Sequence, residues 1–284
     1  MNIIKDTDHI LLMYDGKRKW LLKVRQGENF ATHKGIVYFD DIIGKQYGTC
    51  IFTKPQGFKM RVFKPLPSDF ILKMGRTTQI LYPEDCGLIL MYTGIGPGSL
   101  VLEAGTGSGA LTCILGNYVR PNGHVFSYDI REKSLEQAKK NIQKAKLENV
   151  VSIEYGDILK DVEHSDLDAV VLDLATPWLA IKRVKNFLKL SGTFASFSPT
   201  IEQVKKTVVA LEGEEFYDIN TFELIKRKII VKENATRPTT RMIGHTGYLT
   251  FARRIQEIEN PYQAKKPEKA EKVDLSDLSD IIKL

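Results

Sequence analysis

Glu103-Ala104-Gly105-Thr106-Gly107-Ser108-Gly109-Ala110 is the stretch on which the fold turns. A short apolar run, Ser99-Leu100-Val101-Leu102, leads into it, and Ala110 to Val119 leaves it with helical spacing. Where a strand passes through a glycine turn into a helix, free backbone amides face a ligand, and no side chain holds that ligand off. The alternation continues downstream. Arg120-Pro121-Asn122-Gly123 turns the chain into a strand at His124–Asp129. A helix from Glu132 to Lys146 follows, with Leu135, Ala138, Ile142 and Ala145 on one face and lysines on the other. Strands recur at Val151–Tyr155, Ala169–Leu174 and Thr193–Phe197, and Thr200-Ile201-Glu202-Gln203 has capping-box spacing at the start of another helix. This repetition predicts an α/β fold, a doubly wound sheet with helices on both faces. Phe222–Val231 and Gly247–Ala252 have only a loop between them, so an antiparallel pair is expected at the sheet's edge, making seven strands.

Upstream the texture differs. Residues 1–65 read as short strands with turn punctuation, and Lys64-Pro65-Leu66-Pro67-Ser68-Asp69 reads as a linker, since two prolines cannot continue a strand ladder. The expected organisation is a small β-module over 1–65, a linker and cofactor-covering segment over 66–98, the α/β domain over 99–254, and a charged tail over 255–284. Val273–Leu284 at the tail's end has the pattern of a short amphipathic helix that docks on a partner.

Charge is unevenly placed. Residues 1–65 hold 12 Lys/Arg against 6 Asp/Glu, which accounts for the whole formal excess of +6 over 284 residues. A basic module on a neutral domain suggests a polyanionic partner, nucleic acid before membrane, with Lys17, Arg18 and Lys19 as candidate phosphate contacts. No apolar run is long enough to span a bilayer, and no signal peptide is visible. Cys50, Cys86 and Cys113 are far apart and odd in number, which fits a reducing cytoplasm and small buried side chains. The five histidines show no metal-ligand spacing, so no metal is expected.

The glycine loop alone suits a dinucleotide or S-adenosylmethionine, because Gly105, Gly107 and Ala110 satisfy both patterns. Asp129 ends the next strand, where it can accept from ribose hydroxyls of either. Glu103 and Gly156-Asp157 tilt the balance: three carboxylates at three successive strand ends suit a cationic cofactor and repel a pyrophosphate. Glu103 would meet the methionine moiety and Asp157 the adenine amino group. The fourth strand ends Leu172-Asp173-Leu174-Ala175-Thr176-Pro177-Trp178, so Asp173 faces the cofactor's reactive end. Lys232 to Thr246, with Arg237, Arg241 and His245, reads as a loop that contacts phosphates or bases.

Together these motifs carry a resemblance. Gln79-Ile80-Leu81-Tyr82-Pro83-Glu84-Asp85, the glycine loop, Leu172-Asp173-Leu174 with Pro177-Trp178, and Arg237-Pro238 followed by Met242-Ile243-Gly244-His245-Thr246-Gly247 resemble the tRNA (adenine-N1)-methyltransferases of archaea and bacteria. These are relatives of the catalytic subunit of the eukaryotic enzyme. The resemblance implies a class I methyltransferase sheet, an N-terminal β-barrel-like domain over residues 1–65, and a homotetramer that modifies adenine 58, and in some members 57, in the tRNA T-loop. It implies that Gln79, Gly105, Thr106, Ser108, Gly109, Ala110, Leu111, Asp129 and Asp157 hold S-adenosylmethionine, and that Tyr82 and Asp173 face the target adenine. Asp129 stands where Glu is common in that family, and Ala175-Thr176 replaces a Pro-Glu type of pair. The rival readings are a NAD-dependent oxidoreductase, a methyltransferase acting on a protein isoaspartyl residue, and a non-catalytic RNA-binding partner.

Overall fold

The computed structural model describes residues 2–77 and 79–257. The helix expected over Val273–Leu284 lies outside the described residues. The first six strands are β1 (His9–Met13), β2 (Lys19–Lys23), β3 (Asn29–Thr32), β4 (Gly35–Tyr38), β5 (Cys50–Phe52) and β6 (Lys59–Phe63). One antiparallel sheet runs β2-β1-β6-β5, and β3 pairs with β4 in a hairpin that a bridge from Ile36 to Lys54 ties to the rest. Alternation along β6 sends Met60 and Val62 inward and leaves Lys59, Arg61 and Phe63 outside. Met60 and Val62 join Ile10, Leu12, Val24 and Phe39 in a core of their own. The module's excess charge therefore stays on its surface. Cys86 and Cys113 are buried, but Cys50 is exposed on β5, contrary to expectation, because it points outward from a strand that buries only Ile51.

The segment expected as a linker and cofactor cover contains two helices, α1 (Pro67–Lys73) and α2 (Pro83–Thr93). Each proline occupies the first helical position, where its missing amide hydrogen has no intrahelical partner to lose and its fixed φ already suits the helix. Proline here marks a start, not a break.

The α/β part contains β7 (Leu100–Ala104), α3 (Ala110–Val119), β8 (His124–Asp129), α4 (Glu132–Ala145), β9 (Val151–Tyr155), β10 (Leu167–Leu172), α5 (Ile181–Phe187), β11 (Leu188–Ser198), α6 (Ile201–Glu212) and β12 (Phe216–Glu223). The chain closes with β13 (Ile229–Ile230), β14 (Arg237–Pro238) and β15 (Tyr248–Arg254). Seven strands form one sheet in the order β12-β15-β11-β10-β7-β8-β9, parallel from β11 to β9 and antiparallel where β15 meets β11 and β12. Both faces are covered, so the middle of β10, Ala169–Leu172, is apolar on both sides. Along β10, Ala169 and Val171 pack in the core that takes Ile89 of α2, Ile114 of α3 and Ile142 of α4. Val170 and Leu172 pack on the other side with Val184 of α5 and Leu211 of α6. The capping box at α6 forms as its spacing predicts: the Thr200 amide donates to Gln203 Oε1 at 3.1 Å, and the Gln203 amide to Thr200 Oγ1 at 3.4 Å. Among the described residues, no helix is long and apolar enough to cross a membrane.

One strand sits elsewhere than expected. The edge strand is Phe216–Glu223, not Phe222–Val231. The chain starts pairing with β15 soon after α6 ends and leaves the sheet at Glu223. The apolar Ile229-Ile230-Val231 that suggested a strand pairs instead with Arg237–Pro238, and Val231 is left exposed.

Candidate active site

The chain leaves β7 to build one half of the sheet with β8 and β9, then returns to build the other half from β10. In an open α/β sheet the crevice at such a reversal, beyond the strands' carboxyl ends, is where ligands bind. A cavity of about 740 Å³ opens there. Its walls include Gln79, Glu103, Gly105, Thr106, Gly107, Ser108, Ala110 and Leu111. Asp129, Gly156, Asp157 and Asp173 line it as well.

Gly105 holds the two halves in contact. Its φ is +97°, and a Cβ there would lie 2.1 Å from the Asp173 carbonyl oxygen. The Asp173 amide donates to the Ala104 carbonyl at 2.9 Å, which brings the end of β10 against the glycine turn. The amides of Gly105 and Thr106 both donate to the Tyr128 carbonyl. The Gly107 amide donates to Asp129 Oδ2 at 2.9 Å. Residues 75–77 are tied to the glycine turn and to α4. The Thr77 amide donates to Ser108 Oγ at 2.9 Å, and Asn141 Nδ2 donates to the carbonyls of Gly75 and Ser108, each at 2.8 Å. This places Gln79, Ile80 and Leu81 in the cavity wall.

Four carboxylates line the cavity against one cation, Arg131. Glu103 is the most deeply placed, 1% exposed, and its Oε2 accepts from Thr112 Oγ1 at 2.5 Å and Ser127 Oγ at 2.6 Å. Burial outweighs those bonds and pushes its carboxyl up to about 8. Burial likewise raises Asp173 to about 6, with Arg131 opposing and Asp129 adding to the effect. Burial opposes ionisation of Asp129 too, but hydrogen bonds from the Arg131 side chain and the Gly107 and Arg131 amides prevail and hold it below the usual range. The Arg131 guanidinium grips both Asp129 oxygens at 3.1 Å. Asp157 stands at the rim, accepting from the Leu159 amide at 2.9 Å.

Two of the residues expected at the site stand outside the lining. Tyr82 is half-buried at the position preceding α2, beside the wall residue Leu81. Gly109, with φ +78°, opens α3, and a Cβ there would press on Ala138 of α4 at 3.2 Å. The expected phosphate contacts differ in their surroundings. Arg18 is ion-paired with Asp15 and lies 4.2 Å over the Tyr14 ring, and Lys19 reaches Asp69 of α1 at 3.5 Å. Among the described residues, Lys17 forms no ion pair. Arg237 and Arg241 are exposed, and Arg241 lines a second cavity. His245 is braced at both ring nitrogens, Nδ1 2.7 Å from Glu223 Oε1 and Nε2 3.1 Å from the Pro199 carbonyl. Glu223, with help from that carbonyl, holds its imidazole above the ordinary pKa.

The structure also adds wall residues that the sequence reading passed over: Tyr128, Arg131, Phe197, Pro199, Gln203 and Thr246. Arg131, two residues beyond Asp129, was open to detection from spacing. Phe197 and Thr246 were not, because the β10–β11 pairing brings Phe197 beside Asp173 and the β11–β15 pairing brings Thr246 to the same wall.

A family profile described as tRNA methyltransferase complex GCD14 subunit matches residues 58–236. The tRNA (adenine(57)-N(1)/adenine(58)-N(1))-methyltransferase TrmI of Methanocaldococcus jannaschii is 38% identical over 269 residues, covering 86% of this chain and 94% of that one. A SAM-dependent O-methyltransferase from Thermotoga maritima superposes with a TM-score of 0.84 at 32% identity, over 91% of this chain and 97% of its own. The tRNA (m1A58) methyltransferase TrmI from Aquifex aeolicus gives a TM-score of 0.76 at 29% identity, over 90% of this chain and 100% of its own. With the glycine loop, the carboxylate-lined crevice and these likenesses in one chain, the protein belongs to the family of the tRNA methyltransferase complex GCD14 subunit.

Proposed function

We propose that this protein transfers a methyl group from S-adenosylmethionine to N1 of an adenine in the T-loop of tRNA, at position 58, with position 57 as a second target. The observation that carries the reading is the pairing of the carboxylate-rich glycine crevice with Asp173 set against Gly105 at the strand reversal. Four carboxylates and one cation suit a ligand bearing an ammonium and a sulfonium, and they oppose the pyrophosphate of a dinucleotide. The residues present therefore fit the cofactor. Asp129 would hold its ribose, Asp157 its adenine amino group and Glu103 its methionine end. When bound, it supplies a methyl group activated on sulfur.

The target's N1 lone pair lies in the plane of the base and attacks directly, so no side chain has to act as nucleophile. The protein's contribution is alignment. Adenine becomes cationic as it accepts the methyl, and Asp173 accepts a hydrogen bond from its 6-amino group where that charge develops. With its carboxyl raised only to about 6, Asp173 is mainly ionised at neutral pH. N1 is occupied by pairing or stacking in folded tRNA, so the nucleotide is extruded first, with Tyr82 walling the flipped base. Lys17, Arg18 and Lys19 on the basic module, and Arg237, Arg241 and His245 on the C-terminal loop, face the tRNA. Arg131 must release part of its hold on Asp129 when ribose hydroxyls arrive. The reading carries with it a homotetramer working in the cytoplasm, and Met91 on α2 and Tyr217 on β12 offer exposed apolar surface for subunit contact.

Unmodified tRNA transcripts incubated with methyl-labelled cofactor and digested to nucleosides test this. The expected product is N1-methyladenosine from the T-loop. Label on protein, on ribose oxygen or on another base would overturn it.

A further inference from the structure

Beside the active cavity lies a second one of about 190 Å³. Three cations line it, Lys226, Lys228 and Arg241, against one carboxylate, Glu84. Glu84 is ion-paired with Lys226, so those two charges cancel. Among the described residues, Lys228 and Arg241 form no ion pair, which leaves a net charge of two facing the cavity. The Thr239 amide donates to the Lys228 carbonyl at 2.8 Å, but its Oγ1 is shut off from solvent and has no hydrogen-bond partner. A sequestered hydroxyl in a cavity that two unpaired cations also line is costly unless an acceptor fills the space. Leu224, Met242 and Ile243 supply apolar lining.

The position is as informative as the charge. Thr246 forms part of the wall of both cavities, so the two are separated by one side chain. Its Oγ1 donates to the buried Asp85 at 3.2 Å, which anchors that shared wall to the first turn of α2. Glu84 sits in the same turn, two residues from Tyr82.

Resting on the function proposed above, we infer that this second cavity is a subsite for the backbone phosphate of a nucleotide adjoining the extruded adenosine. Lys228 and Arg241 meet the phosphate charge, Thr239 Oγ1 donates to a phosphate oxygen, and the apolar lining covers the attached sugar. The phosphate competes with Glu84 for Lys226. Fixing a neighbouring phosphate one side chain away from the active cavity holds the splayed strand while its base is out of the stack. Such contacts give register and not sequence preference.

The test uses the full-length protein and T-arm RNA hairpins in which single phosphates around the target adenosine are replaced, one at a time, by neutral methylphosphonates. Wild type should bind all of these RNAs with similar affinity except one with an adjoining linkage neutralised, which should weaken about tenfold. In the Lys228→Gln/Arg241→Gln variant the same linkage should have no further effect, and the salt slope of binding should fall by one to two. S-adenosylhomocysteine affinity should match wild type, which shows that the variant is folded. Lys228→Arg/Arg241→Lys should restore the sensitivity to that linkage. A double-Gln variant that keeps the wild-type methylphosphonate profile overturns the subsite alone. A wild type that neither binds nor methylates the unmodified hairpin overturns the parent reading with it.

Discussion

Replacing Glu103 by glutamine isolates what it costs to build a cationic cofactor's site before the cofactor arrives. Glutamine keeps an oxygen for Thr112 Oγ1 and Ser127 Oγ but has no proton to release. In the wild type, burial raises this carboxyl from 4.5 to about 8. Below pH 4.5 the group is protonated folded and unfolded, and its stability contribution is fully present. As pH rises toward 8 the unfolded chain releases the proton first, so stability falls, and above about 8 the loss is complete. At ~1.4 kcal/mol per pH unit, the gap from 4.5 to about 8 amounts to about 5 kcal/mol. Denaturant unfolding of both proteins at pH 5, 6, 7 and 8 should therefore show wild type losing ground to Glu103→Gln steadily, with unchanged m-values. Saturating S-adenosylmethionine should narrow the difference, since a nearby cation favours the ionised carboxylate. Stability curves that run parallel from pH 5 to 8 would refute the reasoning and show that Glu103 is ionised in the free protein.

Asp173→Asn should slow single-turnover methyl transfer by on the order of 10²-fold while cofactor affinity changes little, because the lost contact matters only in the transition state. Asp129→Ala should do the reverse, weakening cofactor binding measured at equilibrium; equal effects of the two variants on binding would show that the roles are not divided. Gly105→Ala should destabilise by on the order of 4 kcal/mol or more in denaturant unfolding, because its Cβ would meet a backbone oxygen of β10 at a φ of +97°; a loss under about 1 kcal/mol would mean that the strand ends separate freely. Lys17→Gln should lower the salt slope of tRNA binding by about one, and Arg18→Gln or Lys19→Gln by less, since Asp15 and Asp69 already balance those charges. Three equal slopes would contradict that ranking.

Where a segment's own pattern decides its structure, the sequence was enough. Ala110–Val119 and Val151–Tyr155 stand where their periodicity puts them, and Thr200 caps α6 as its spacing with Gln203 predicts. Pattern failed where two local readings compete. Pro67 and Pro83 signal a strand break and a helix start equally well, and only the following residues' packing under β-module and sheet chooses the helix. Ile229-Ile230-Val231 looks like a buried strand but has no partner strand in the main sheet. In the site, the carboxylates were legible because each lies at or just past the end of a strand whose place the local pattern gave. Phe197 and Thr246 were not, because the pairing of β11 with β10 and with β15 sets their nearness to Asp173. The bracing of His245 by Glu223 and Pro199 was hidden for the same reason.

The strand order divides the labour of the crevice along the chain. Glu103 and Asp129 stand at the ends of β7 and β8 and Asp157 just past β9 on one side of the reversal, whereas Asp173, Phe197 and Thr246 come from the end of β10, from β11 and from the approach to β15 on the other. Everything proposed to grip the cofactor is thus encoded before about residue 160, and nearly everything proposed to meet the acceptor base after it. Acceptor choice can drift by change in one contiguous stretch of gene while the donor half stays fixed. A chimera joined in the loop before Leu167, with the downstream half taken from a relative of different acceptor, should keep this protein's cofactor affinity and adopt the relative's target. The seam that must match runs along the β7–β10 contact with Gly105 at its end, through the core that packs Ile89 and Ile114 against Ala169 and Val171, and over the Thr246–Asp85 contact.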